Sequence, residues 1–323
     1  MKKIFTRSSV PVYLTMFLMV LFVVSCNRDS ENGNFEMTVH EAVNDSIAEK
    51  EQEEEIKEKP EPKPVVRYHL DSIASAEEVD SFQIRYSDEE RKILFALNRM
   101  DAWRLSAGTQ LIIPDSISDN LLTYSPFPEE LELLDSIPKT VLINQRVQGF
   151  ALYENGKLIR WGPTSSGKQT TPTPNGLHYG NHKSKRKVST VNSDWILPFY
   201  FNFMNFEGVG VHQYSMPGYP ASHACVRLLE EDARFIYDWA EQWQLNSNGQ
   251  VIVENGTPFM VFGEYDYEQP SPPWLRLATN YEDNFLNKAE LDTLKNYVQR
   301  YFEDEKNFVQ EETETEEEPE LTV

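Results

Sequence analysis

Between residues 139 and 265 the chain is a succession of short runs rich in β-branched and aromatic residues: TVLINQRVQGFALYENGKLIRWGP, NGLHYG, WILPFYFNFM, EGVGVHQY, QVIVENG and TPFMVFGEY. Such side chains suit the pleated, half-buried surface of a strand. Turn signals divide the runs, among them Glu154-Asn155-Gly156 and Thr173-Pro174-Asn175-Gly176. Asn-Gly between two apolar runs is the strongest hairpin signal here, because a tight two-residue turn needs positive φ at both central positions. One helical pattern interrupts the strands. In RLLEEDARFIYDWAEQW, Leu229, Ala233, Ile236, Ala240 and Trp243 recur at steps of four and three, which predicts a wide apolar face packed on the sheet. Residues 139–265 therefore read as one mainly β domain with a packed helix.

What flanks this domain reads differently. MKKIFTRSS followed by VPVYLTMFLMVLFVVSC is a basic start and an apolar run ending in small residues, the pattern of an export signal over residues 1–25. Val23-Val24-Ser25-Cys26 resembles the lipobox of bacterial lipoproteins, which implies acylation of Cys26; an ordinary export signal or an uncleaved anchor is the other reading. Residues 26–64, with EKEQEEEIKEKPEPKP, and residues 304–323, with EETETEEEPE, are acidic and poor in apolar residues, as expected of a solvated tether and tail. The formal net charge is −22, and loss of Lys2, Lys3 and Arg7 with the signal makes it more negative. Such a surface disfavours nucleic acid and anionic membranes as partners.

Residues 65–120 read as a small α+β unit. Ser87 with Glu90 forms a capping box ahead of a helix carrying Ile93, Leu94 and Leu97, and RLSAGTQLIIPDS leads into an apolar strand. The series ALN, AG and LIIP resembles the second half of a LysM module, a βααβ glycan-binding fold; a helical spacer with one hairpin edge is the alternative. A further extension, 266–303, carries a last helix over about 287–302, started by Asn287 with Glu290 and bearing Leu291, Leu294, Val298 and Tyr301.

Two cysteines, Cys26 and Cys225, are all the chain contains. With Cys26 lipidated, a disulfide framework is excluded and an exported lone thiol at Cys225 calls for a chemical reason. A thiol becomes a nucleophile only as thiolate, so it needs a base or a cationic neighbour. The helix expected directly after Cys225 offers its dipole, but Glu230, Glu231 and Asp232 oppose it, so a histidine is required. His223 and His212 are the candidates. His212 is preferred, because its ring is mounted on a strand and SMPGYPAS is long enough to fold back and bring it alongside.

VGVHQYSMPGYPASHACVRLLEEDA resembles the signature of the L,D-transpeptidase family with its YkuD-type catalytic domain, and the likeness extends through ALYENGKLIRWGPTSSGKQTTPTPNGLHYG and GTPFMVFG. The resemblance implies a β-sandwich or barrel with one helix packed after the nucleophile. It implies Cys225 as nucleophile, His212 as base and acid, His223 near the oxyanion site, and Ser222 and Arg227 shaping the pocket and holding substrate. Gln213 would orient the imidazole through its main-chain carbonyl. Ala224 stands where the family has glycine; if positive φ is needed there, alanine costs about 1 to 2 kcal/mol. The reaction implied is acyl transfer from a peptidoglycan tetrapeptide stem, at the bond before its terminal D-alanine, to an amine. Hydrolysis, or a non-catalytic peptidoglycan-binding lipoprotein, are the rivals. The resemblance calls for no metal or organic cofactor, stem peptides as partner, the membrane only through the lipid, a monomer, and a place on the periplasmic side of the bacterial envelope.

Other residues carry competing readings. His178 and His182 could join His212 and Cys225 as zinc ligands, or be satisfied or exposed histidines. HKSKRK, residues 182–187, could attract stem carboxylates or be a solvated hairpin tip. Phe199, Phe201, Phe203 and Phe206 read as core and pocket wall. Arg227 could instead pair with Glu231.

Overall fold

The structure, a computed structural model, describes residues 66–308. The export signal, Cys26, the tether of residues 26–64 and the tail beyond 308 lie outside the described residues. No helix among the described residues is long and apolar enough to cross a membrane.

The first elements are strand β1 (Tyr68–Ser72), helices α1 (Ala76–Arg85) and α2 (Asp88–Leu97), and strand β2 (Gln110–Pro114), which pairs antiparallel with β1 from Tyr68↔Pro114 to Ser72↔Gln110. The chain order is thus βααβ. At the start of α2 the Glu90 N–H donates to Ser87 Oγ at 3.2 Å and the Ser87 N–H donates to Glu90 Oε2 at 2.8 Å, so two donors that a helix start leaves unpaired are satisfied. Phe82, Leu94, Leu111 and Ile113 form the centre of this unit. β1 and α1 were not evident in the sequence, since α1 buries only Phe82 and shows no wide apolar stripe.

Two sheets follow. β3 (Lys139–Asn144), β4 (Gly149–Glu154), β5 (Lys157–Pro163) and β6 (Gly176–Tyr179) lead to β7 (Lys183–Val188), β8 (Ile196–Met204), β9 (Val209–Gln213) and β10 (Val226–Leu228). After helix α3 (Glu230–Trp239) come the short pair β11 (Gln244–Leu245) and β12 (Ile252–Glu254), then β13 (Pro258–Phe262). The five-stranded sheet has the order β5-β4-β3-β13-β6 and the four-stranded sheet the order β10-β9-β8-β7. The Asn155-Gly156 hairpin joins β4 to β5, with φ of 45° and 74° at the two residues. Pairing is antiparallel except for β13 with β3 and β10 with β9.

Period-two alternation assigns the two faces of the large sheet. Val141, Ile143, Phe150, Leu152, Phe259 and Val261 face the four-stranded sheet, where Phe201, Phe203, Val209, Val211, Val226 and Leu228 meet them. Ala233, Ile236 and Ala240 of α3 close that layer. Phe259 stacks on Phe203 at 5.2 Å and meets Phe201 edge-on at 5.5 Å. Leu142, Ala151, Tyr153, Met260 and Phe262 point the other way, against the βααβ unit, the 121–137 segment and helix α4 (Lys288–Glu303). Both faces of the sheet are therefore buried, which is why TVLIN and FMVF read as continuous apolar runs. The result is a mainly β sandwich, with no closed barrel.

Ion pairs tie the helices down. Glu290, in the capping box of α4, accepts from Asn144 Nδ2 at 2.9 Å and pairs with Arg146 at 2.7 Å. Asp232 in α3 pairs with Arg160 of β5 at 2.6 Å, and burial pushes its carboxyl up to about 6.

Three expectations change. HKSKRK is no hairpin tip; residues 183–188 form β7, an edge strand, paired on one side with β8. The helix after Cys225 begins at Glu230, because Val226–Leu228 are first drawn into β10, so its dipole starts five residues from the thiol. The folded part also extends past 303: Glu305–Asn307 form a helical turn, and Asn307 Nδ2 donates to the Tyr179 hydroxyl at 3.0 Å.

Candidate functional site

β10 lies parallel to β9 with Arg227 opposite His212 and Val226 opposite Val211. Cys225, the residue just before β10, and His212 line one cavity of about 80 Å³. Ser222, His223 and Arg227 line it too, with Lys187, Trp195, Tyr200, Glu207, Gly208 and Tyr214. The segment between His212 and Cys225 thus folds back on itself, and parallel pairing fixes how far.

His212 is 3% exposed, and its Nδ1 sits 2.9 Å from the Gln213 carbonyl. A carbonyl can only accept, so the proton is on Nδ1 and Nε2 keeps its lone pair. Burial pushes the imidazole down to about 4, with the Gln213 bond opposing and Arg227 adding to the depression. The ring is therefore a neutral base at pH 7. The edge of Tyr214 and the tilted ring of Tyr200 lie 6.0 and 6.4 Å from it.

Cys225 is free and partly buried, and burial raises its thiol; the Gly210 N–H, Lys187 and Arg227 act in the other direction. Its Sγ lies 3.8 Å from the Gly208 carbonyl, a weak S–H contact. Cys225 therefore rests as a thiol and His212 as a neutral imidazole. Gly210 has no room for a side chain: a Cβ there would sit 2.5 Å from the Phe201 carbonyl oxygen. Sequence reading passed over Gly210, although an isolated glycine inside VGVHQ signals close backbone approach.

The turn before Cys225 is held by the 165–173 segment. Ser222 N–H donates to Ser166 O at 3.0 Å, Lys168 N–H to Ser222 O at 3.0 Å, and Thr173 Oγ1 to Ala224 O at 2.7 Å. Ser222 Oγ donates to the Cys225 carbonyl across the turn. The His223 ring lies tilted against Trp195, centroids 5.2 Å apart, and has Lys168 Nζ 3.2 Å from its Nε2. A lysine ammonium can only donate, so Nε2 accepts and the His223 proton is on Nδ1. Desolvation and Lys168 lower its basicity. Neither Lys168 nor Trp195 was singled out from sequence; no spacing rule links them to 223.

Ala224 has φ of +77°, the left-handed region. The chain keeps there a conformation that glycine adopts freely and alanine does not. Ala224→Gly is expected to stabilise the fold by up to about 1 kcal/mol, the strain relieved less the extra entropy glycine loses on folding. Thermal unfolding of the two proteins checks this; an equal or lower melting temperature for the glycine form contradicts it.

Arg227 makes no ion pair with Glu231 among the described residues. Its guanidinium donates to Ser215 O at 3.2 Å and Ala221 O at 2.9 Å and lies 4.8 Å over the Tyr214 ring. It braces the loop that walls the cavity. The His178 and His182 rings lie tilted against Phe203 and Tyr200, and no group of three or more His, Cys, Asp or Glu among the described residues could hold a metal ion. Phe201 and Phe203 are core, whereas Phe206 is 96% exposed in the β8–β9 turn.

A family model, the L,D-transpeptidase catalytic domain, matches residues 138–261. This segment is similar to an L,D-transpeptidase catalytic domain. It runs from the start of β3 to Val261 in β13 and contains every candidate site residue except Cys26. Among curated proteins, none matches the chain. Among solved structures, an L,D-transpeptidase from Stackebrandtia nassauensis is 25% identical, covering 40% of this chain and 58% of that one with a TM-score of 0.33. Another, from Xylanimonas cellulosilytica, is 20% identical, covering 62% of this chain and 100% of that one with a TM-score of 0.38. The chain thus spans less than two thirds of the first of these L,D-transpeptidases.

Proposed function

We propose that the protein is a cysteine-dependent peptidoglycan L,D-transpeptidase. The observation that carries the reading is the β9–β10 register, which puts Cys225 and the Nδ1-protonated His212 on one cavity. His212 Nε2 takes the Cys225 proton as the sulfur attacks the carbonyl carbon before the terminal D-alanine of a tetrapeptide stem. Backbone N–H groups around residues 223–225 receive the developing oxyanion. The imidazolium returns its proton to the leaving amine as the C–N bond breaks, leaving a thioester on Cys225. The amine of a second stem then attacks the thioester, and its proton passes through His212 back to the sulfur.

His223 borders the oxyanion position, Gln213 orients the base through its carbonyl, and Ser222, Ala224 and Arg227 shape the turn and the pocket. The retained φ at Ala224 favours a working site over a decayed binding fold, because the backbone there has not relaxed to suit alanine. In the same reading Cys26 is acylated, the acidic tether holds a monomeric enzyme off the membrane on the periplasmic side of the envelope, and the βααβ unit rests on glycan strands.

Incubation with tetrapeptide muropeptides tests this. The expected products, read by mass spectrometry, are crosslinked dimers and free D-alanine. Tripeptide without dimers would identify hydrolysis as the main reaction, and bound but unchanged tetrapeptide would overturn the enzymatic reading.

A further inference from the structure

The loop from Tyr214 to Ser222 has two differently supported halves. Residues 221 and 222 bond to Ser165 and Ser166, and Tyr219 O accepts from Ser165 Oγ at 2.8 Å, all inside the L,D-transpeptidase segment. Met216 is held from outside it. Its N–H donates to Asp101 Oδ2 at 2.7 Å, and its carbonyl accepts from the Asp101 N–H at 2.9 Å. Met100 and Pro217 form an antiparallel bridge beside this pair, and Met216 is fully buried. Asp101 thus grips one loop residue on both its donor and its acceptor, from the turn that follows α2.

That turn is itself fixed. Arg99, fully buried with φ of 56°, donates Nε–H to Val147 O at 3.1 Å in the β3–β4 turn and lies 5.6 and 4.8 Å over the rings of Trp161 and Trp274. Asn98 Nδ2 donates to Ile112 O at 2.9 Å and Asn98 Oδ1 accepts from the Ile112 N–H at 2.8 Å, tying the turn to β2. The βααβ unit is part of the same compact body as the sandwich. A freely tethered glycan-binding module would need none of these contacts.

The consequence reaches the site through the residue before Met216. Ser215 O is one of the two carbonyls that hold the Arg227 guanidinium, and Tyr214 packs both under that guanidinium and against the His212 ring. We infer that Asp101 is a positioning residue for the active site: the βααβ unit, by clamping Met216, sets the loop that braces Arg227 and the cavity wall beside His212. The segment matched to the family would then be an incomplete enzyme without residues 66–114. This inference rests on the proposed reaction at Cys225.

The test compares the wild type with Asp101→Ala, Asp101→Asn and Asp101→Glu by the rate at which a carbapenem adds to Cys225, followed by intact mass at a temperature below every melting transition. Displacing a wall of a preorganised site by about 1 Å costs up to about 10²-fold, so the alanine form should react about tenfold or more slowly per folded molecule. Asparagine keeps a side-chain oxygen for the Met216 N–H and should restore the rate to within about threefold, since a neutral acceptor replaces a charged one. Glutamate, one methylene longer, should be slow while still folded, and it carries the test should the alanine form not fold. Equal rates for wild type, alanine and glutamate, or an asparagine form as slow as alanine, would overturn the inference. A wild type that forms no Cys225 adduct would overturn the proposed reaction instead.

Discussion

Replacing Cys225 by serine is expected to abolish the covalent adduct with a carbapenem while leaving the fold intact. The substitution exchanges sulfur for a smaller oxygen at a partly buried position, where the thiol makes a weak contact to Gly208 O, so little packing is at stake. What changes is the acidity of the nucleophile. A serine hydroxyl is far weaker an acid than a thiol, and His212, held neutral by burial with its lone pair on Nε2, is not strong enough a base to offset that. Loss of a nucleophile of this kind lowers the rate by roughly 10³-fold or more. Intact mass after incubation should show unmodified protein with an unchanged melting transition. An adduct of full yield on the serine form would place the chemistry on another residue.

The second large effect is expected at His212. His212→Asn keeps a side-chain N–H that can reach for the Gln213 carbonyl but removes the basic nitrogen, and general-base catalysis of this kind contributes about 10²- to 10⁴-fold. The sign of the pH dependence follows from the folded state. The imidazole ordinarily titrates near 6.5; here burial pushes it down to about 4, so the neutral form that accepts the proton persists as pH falls through 6.5 and is lost only as pH approaches about 4. The wild-type rate of adduct formation should thus hold between about pH 8 and about pH 5, where an exposed histidine base would already have lost most of its activity. A rate that falls off around 6.5 would mean that the base is solvated, or is a different histidine.

Much of this site was legible because its parts are local. A strand histidine, a thirteen-residue return and a cysteine ahead of an apolar stretch are sequence features, and parallel pairing of β9 with β10 turns them into neighbours. Asn155-Gly156 and the two capping boxes were equally readable, since each is decided by a few adjacent residues. What sequence did not disclose comes from distant chain segments. Lys168 against His223 and Asp101 against Met216 are separated by 55 and 115 residues, and no periodicity reports such pairs. The helix start after Cys225 was misplaced for a related reason: Val226–Leu228 suit a helix by pattern, but β9 offers them an unpaired edge, and tertiary pairing prevails. Arg227 looked free for substrate or for Glu231, and the loop carbonyls that occupy it belong to residues whose side chains give no sign of it.

The measurement closest to the central claim is the pH profile of adduct formation on Cys225 in the wild type and in His212→Asn, from about pH 5 to about pH 10. With the imidazole in place the rate should be level through neutrality. Without it, thiolate can come only from bulk ionisation of a thiol that burial has raised, so the rate should climb about tenfold per pH unit and continue past the ordinary thiol range. Identical profiles for the two proteins, with equal rates at neutral pH, would contradict an imidazole-activated Cys225.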